Sequence, residues 1–174
     1  MVKKGIIFAA FVADHISPPV ISGWREHKKE VAVMLLTVER VDVWAVDLDD
    51  RPGALDEKLA GLAQAGVNIE FIIARRRGEG SNKAVVFLTP LVGEKQESAG
   101  KALGFAIAQG LRSLRVSGPD EPGKAHMVLR ALGAEGINLR GVSAATIGRE
   151  FVMHLAFDSD TDAAKAEQRL ARPL

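Results

Sequence analysis

From Val41 onward the apolar positions switch repeatedly between two periods. Val41-Asp42-Val43-Trp44-Ala45-Val46 alternates, with one side more apolar than the other, and so does Leu111 to Val116. That is the period of a half-buried strand. Leu55, Leu59, Leu62 and Ala63 then recur at i, i+4, i+7 and i+8, which is one helical face. Ala125, Leu129, Leu132 and Gly133 repeat the spacing. An apolar strand follows each helix, Val67 to Ile73 in the first case and Ile137 to Val142 in the second. Third strands are expected over Ala84–Leu88 and Phe151–Phe157, and second helices over Glu94–Leu103 and Asp160–Leu170. A short fourth strand, Phe105 to Ala108, closes the first set, and the chain has no residues left for its counterpart in the second.

The two sets are copies. Asp50–Ile69 and Asp120–Leu139, offset by 70, are identical at seven of twenty positions: Asp50/Asp120, Pro52/Pro122, Gly53/Gly123, Leu59/Leu129, Leu62/Leu132, Gly66/Gly136 and Asn68/Asn138. Most are turn and helix-end residues, which is where a duplicated backbone must be kept. The order β-α-β-β-α-β predicts an α+β fold of two ferredoxin-like modules, each an antiparallel sheet with both helices on one face. The expected organisation is an extension over 1–35, a first module over 36–109 and a second over 110–174. The sheet edge left open in the second module calls for cover by another chain or module, and a homodimer is expected for that reason.

Residues 1–33 stand apart. Lys3-Lys4 followed by the apolar run Gly5–Ala13 has the outline of a secretory signal, with Phe11 where a small residue is wanted. Ser17-Pro18-Pro19 to Lys29 reads as loop or disorder. A third reading is a translated leader. Lys29-Glu30-Val31 is encodable as a ribosome-binding sequence, which makes Met34 the true start.

Composition narrows the functions. Twenty-three basic and 22 acidic side chains give a net charge of +1, which speaks against a nucleic-acid binder driven by bulk charge. Zero Cys excludes thiolate zinc sites, iron–sulfur clusters, disulfides and a Cys nucleophile. No apolar run approaches the roughly 20 residues that span a bilayer. Together these fit a cytoplasmic protein with no nucleic-acid or membrane partner.

Asp50-Arg51-Pro52-Gly53, the amphipathic helix after it and Ala65-Gly66-Val67-Asn68-Ile69 resemble the ACT domain family, and the second copy repeats the signature as Asp120-Glu121-Pro122-Gly123 and Glu135-Gly136-Ile137-Asn138-Leu139. The resemblance covers roughly residues 36–171. It implies a regulatory module that binds small ligands, most often amino acids, between paired domains, beside a metabolic enzyme or transcription regulator as partner. Carried onto this chain, the ligand residues are Asp50, Arg51, Pro52, Gly53 and Asn68, with Asp120, Glu121, Pro122, Gly123 and Asn138. The chemistry agrees: a loop ending at a helix N-terminus offers N–H groups to a carboxylate, and an Asn offers both donor and acceptor. The same residues also serve folding alone. Glu121 in place of Arg51 would repel a carboxylate, so the first copy is the better candidate.

Other clusters point elsewhere. Arg75-Arg76-Arg77 with Lys83 reads as a solvated hairpin tip, since no aromatics interleave for base stacking. Gly78-Glu79-Gly80 lacks the Lys-Ser/Thr of a phosphate loop. His126 and His154 fit no metal spacing, and Ser143 misses the nucleophile elbow. Asp158, Asp160 and Asp162 lack the offsets of a calcium loop and read as a helix start with acids at its positive end. No catalytic constellation, metal or cofactor is expected. The expectation is a stand-alone amino-acid sensor, not an enzyme, with a ligand-free interaction module as the alternative.

Overall fold

The computed structural model describes residues 36–78 and 80–174, so the readings placed on the first 33 residues lie outside the described part. Twelve elements follow in order. They are β1 (Thr37–Val41), β2 (Trp44–Asp49), α1 (Ala54–Gln64), β3 (Phe71–Arg76), β4 (Lys83–Thr89), α2 (Gly93–Ala102), β5 (Ala106–Ile107), β6 (Arg112–Pro119), α3 (Lys124–Ala134), β7 (Gly141–Ile147), β8 (Glu150–Phe157) and α4 (Asp160–Leu170). They form two four-stranded antiparallel sheets, ordered β3-β4-β2-β5 and β1-β6-β8-β7.

The second order corrects one expectation. The edge that lacked a strand is covered from within the chain: β1 pairs with β6 along its whole length, Thr37 opposite Ser117 and Val41 opposite Ser113. Only Asp42 and Val43 separate β1 in one sheet from β2 in the other. The missing fourth strand therefore gives no reason to expect a second chain at that edge. Module one is β2–β5 with α1 and α2. Module two is β1, β6–β8, α3 and α4.

Each module buries one sheet face under its helices. In module one Trp44, Val46 and Leu48 of β2 and Val86 and Leu88 of β4 meet Leu62 of α1 and Phe105. In module two alternate residues of β8, namely Phe151, Met153, Leu155 and Phe157, meet Val128 and Leu132 of α3 and Ala166 and Leu170 of α4. The period-2 burial follows from the pleat, which sends successive side chains to opposite faces.

The helix ends are duplicated in detail. Gly66 and Gly136 follow α1 and α3 at φ 79° and 68°. Val67 N–H donates to Leu62 C=O and Ile137 N–H to Leu132 C=O, both at 3.1 Å, which satisfies a terminal carbonyl by the same left-handed cap. Helix α4 starts at Ser159, whose Oγ accepts from the Asp162 N–H at 3.0 Å, with Asp160 and Asp162 in the first turn.

Two local expectations shift. Val67-Asn68-Ile69 is loop, and β3 begins only at Phe71; likewise β7 begins at Gly141. Val67 and Ile69 are apolar because they pack from the loop onto the core. In α3 the buried residues are Lys124, Val128, Ala131 and Leu132, so the inward stripe is turned by one position and Leu129 stays 37% exposed.

Candidate functional site

The two β–α loops are built alike. Asp50 N–H donates to Asn82 C=O and Asp120 N–H to Arg149 C=O, both at 2.8 Å, which ties each loop to the tip of the neighbouring hairpin. Gly53 and Gly123 are the N-caps of α1 and α3, at φ 82° and 89°. That left-handed backbone is strained for any residue with a Cβ, which is why the chain keeps Gly there. Nothing stands within 4 Å of where either Cβ would be, so the backbone at both loop ends is open to an approaching group.

The charges on the loops differ. In module one Arg51 grips Glu57 with both guanidinium Nη atoms, at 2.8 and 2.6 Å. The hydrogen bond from Arg51 holds the Glu57 carboxyl below the ordinary range, and Glu57 pushes the Arg51 guanidinium up. Around them Arg76 pairs with Asp50 at 2.8 Å and Lys83 with Asp49 at 2.6 Å, which lowers the Asp49 carboxyl. The basic cluster of the hairpin is thus exposed, as expected of a tip, and is met by acids of β2 and the loop. In module two the pair is reversed: Glu121 meets Lys124 Nζ at 2.7 Å. Its charge is compensated, so its repulsion of an anionic ligand is weaker than the sequence suggests. Lys124 stands 70 residues after Ala54 and, like it, is 7% exposed.

A shallow cavity of about 250 Å³ lies beside the module-one loop. Asp47, Asp49 and Glu57 line it together with Arg51, Lys58 and Lys83, three acids against three bases, with Leu48 and Ala54 as its apolar part. Lys58 is also bound, through Nζ, to the Leu103 carbonyl at 2.6 Å. A balanced set of opposite charges of this kind suits a zwitterion, which carries one of each.

The ten residues named from sequence do not gather within one module. Asp50, Arg51, Pro52 and Gly53 sit at the start of α1, and Asn68 lies beyond its other end. The helix has 11 residues, about 16 Å at 1.5 Å per residue. Asp120, Glu121, Pro122 and Gly123 are separated from Asn138 by α3 in the same way. All ten residues are exposed. What the sequence reading missed is the charged floor of the cavity, Asp47, Asp49, Lys58 and Lys83. These residues lie on neighbouring strands and the helix, and only the β2–β4 register, Asp49 opposite Lys83, brings them together.

Among the described residues no three His, Asp or Glu side chains gather as a metal site, and no helix is long and apolar enough to cross a membrane.

No family model and no curated protein matches the sequence. Solved structures do match its fold. Protein BT0572 from Bacteroides thetaiotaomicron is 18% identical at a TM-score of 0.63, over 79% of this chain and 93% of that one. The regulatory subunit of aspartate kinase from Thermus thermophilus, in its ligand-free form, is 14% identical at a TM-score of 0.55, over 80% of this chain and 96% of that one. The fold is that of tandem ACT domains. The aspartate kinase of Clostridium acetobutylicum matches at 14% identity and a TM-score of 0.51, over 84% of this chain but 36% of the enzyme. The two modules span nearly all of the described chain, and the matched part is a minor share of that allosteric enzyme.

Proposed function

We propose that this tandem ACT protein is a cytoplasmic regulator that binds a small zwitterionic ligand, an amino acid, at the β2–α1 loop of module one. The observation that carries the reading is the cavity lined by Arg51 and Ala54 at the start of α1, with three acids and three bases around it. A ligand carboxylate takes the place of Glu57 on Arg51, or lies against the free N–H groups of the first turn of α1. The ligand ammonium meets Asp47 or Asp49. The fold likeness to regulatory subunits of aspartate kinase supports a role in control rather than in chemistry.

Asn68 enters this site only from a second copy, because within one module it lies a helix length away from the loop. A homodimer pairing module one with module one joins the two halves, and occupancy then biases the association with itself or with an enzyme partner. One observation favours the ligand-free alternative: Arg51 is already paired with Glu57 and Glu121 with Lys124.

The test is a thermal-shift and calorimetric screen of the twenty amino acids. One or a few of them should raise the melting temperature saturably, and Gly53→Asp, which places a carboxylate at the helix start, should abolish the effect while far-UV circular dichroism is unchanged. If no amino acid moves the melting curve, the interaction-module reading stands in its place.

A further inference from the structure

The geometry points to a second small-molecule site, for an amphipathic anion, in the cleft where the two modules join. The cleft has a volume of about 600 Å³, the size of an ordinary ligand pocket, and is lined by Trp44, Lys101, Ala106, Ile107, Gln109, Gly110 and Arg112. Its walls come from the start of β2, the end of α2, β5, the connecting turn and the start of β6.

Its charge differs from that of the loop cavity. Lys101 and Arg112 face it, and no lining residue is acidic. Arg112 uses Nε on Asp160 at 2.7 Å and Nη1 on the Leu111 carbonyl at 3.4 Å, so Nη2 has no acceptor among the described residues. Lys101 stands 3.5 Å from Glu97, a long ion pair, with its ammonium 5.8 Å from the Trp44 ring centroid. Both cations can therefore turn to an anion without breaking a short buried bond. Ile107, 49% exposed in a two-residue edge strand, adds an apolar wall beside them. Gln109 offers an amide. Gly110, at φ 71° with nothing within 4 Å of where a Cβ would be, leaves the backbone accessible. A carboxylate, sulfonate or phosphate fits between Arg112 and Lys101, with its apolar part on Ala106 and Ile107.

The position gives such a ligand leverage. The turn from Ala108 to Leu111 is one of two crossings of the chain between modules, the other being Asp42-Val43. The two crossings are joined by Ala108 N–H to Val43 C=O at 2.9 Å, and Arg140 of module two donates to the Gly110 carbonyl at 3.2 Å. A group bound here touches both modules, so it shifts their relation by whatever difference in contact the two arrangements offer. This site is independent of the amino-acid reading.

The experiment is a titration of the full ¹⁵N-labelled chain with octanoate, followed by amide shifts, beside octylammonium and acetate. Octanoate should give saturable shifts at Ala106, Ile107, Gly110 and Arg112. Octylammonium, with the same tail and the opposite charge, should give none there, and acetate should bind at least about tenfold more weakly. The double variant Lys101→Gln, Arg112→Gln should weaken octanoate about tenfold or more. Ile107→Glu leaves both cations in place and should do the same, which keeps the test informative if the double variant folds poorly. Equal shifts with octanoate and octylammonium, shifts confined to Asp49–Gly53, or no shift at millimolar octanoate would each overturn the site.

Discussion

Module one closes its sheet with β5, two residues that pair with Trp44 and Ala45, whereas module two closes its own with β1, five residues delivered from before module one begins. The difference teaches that a duplicated sequence need not give two separable units. Module one is contained in one stretch of chain. Module two is split around it, with β1 on one side and β6 to α4 on the other. The cores differ in the same sense: 13 buried residues cluster in module two and eight in module one, so the split module is the more heavily packed.

The largest effect expected from breaking this comparison is removal of β1. A chain starting after Val41 should lose the fold of module two, because β6 becomes a bare edge and Leu114 and Val116 lose the cover of Leu36 and Val38. The cost is roughly the module's whole stability, about 5 kcal/mol or more. A chain starting at Met34 keeps every residue of β1 and is the control. Two-transition melting followed by circular dichroism should show the upper transition gone and module one still cooperative. If both transitions survive the deletion, β1 is dispensable and the interleaving carries no energy.

Leu62 and Leu132 occupy equivalent positions, 0% and 1% exposed. Leu62→Ala and Leu132→Ala should each cost about 2–5 kcal/mol, the range for an emptied core leucine site. Leu62→Ala should lower the transition of the smaller module-one core and leave the other in place, and Leu132→Ala the reverse. Denaturant melts that shift as one for both variants would show that the two modules unfold as a single unit.

What could be read from the sequence was what local chemistry decides. The helix ends at Gly66 and Gly136, the helix start at Asp160 and the Pro-Gly turns at 52–53 and 122–123 depend on residues close in the chain, and all are where the pattern puts them. The helix face of α3 was misjudged by one position because Lys124, a residue that ordinarily points outward, is buried at the start of the helix. The pairing of β1 was invisible for a different reason. Thr37-Val38-Glu39-Arg40-Val41 has its two valines three residues apart, on opposite faces of a strand, so it shows no clear strand period and nothing within it says which sheet it joins; the partner, β6, lies some 75 residues away. The candidate loops were legible as motifs. Their charge state was not, because the cavity floor is assembled by register between β2 and β4.

The contact between modules offers a pH-dependent test. The His154 ring in β8 stacks on Phe71 in β3, centroids 4.1 Å apart, and its Nδ1 is buried with no hydrogen-bond partner among the described residues. Burial, and then the Arg115 guanidinium across the strand pair, holds the imidazole below the ordinary histidine range. Arg115 is itself paired with Glu39 of β1 at 3.2 Å. The folded protein thus prefers neutral His154, while the unfolded chain takes up a proton near its ordinary pKa of about 6.5. The stabilisation is full above that value and is lost as pH falls below it toward the lowered folded value. The lowered carboxyls of Asp49, Glu57 and Asp160 act in the same direction but only at more acidic pH. Melting temperatures between pH 7.5 and 5.5 should fall for the wild type and fall less for His154→Gln. Equal slopes would remove His154 from the inter-module contact energy.

The smallest effect sharpens the comparison most. Arg51–Glu57 joins two exposed side chains, 52% and 61% accessible, whereas Glu121–Lys124 joins an exposed acid to a lysine whose side chain is 8% accessible. Exposed ion pairs contribute little, since water already solvates both partners and ordering two long side chains has an entropic cost. A double-mutant cycle on Arg51→Ala and Glu57→Ala should therefore give a coupling hard to separate from zero, as the proposed exchange of Glu57 for a ligand carboxylate requires. Lys124→Ala should destabilise more than Arg51→Ala, because it also removes the packing of the lysine stem at the start of α3. Module two's cation is then part of its fold, while module one's is held loosely enough to be used. A strong Arg51–Glu57 coupling would reverse that assignment and make the module-one loop the structural one.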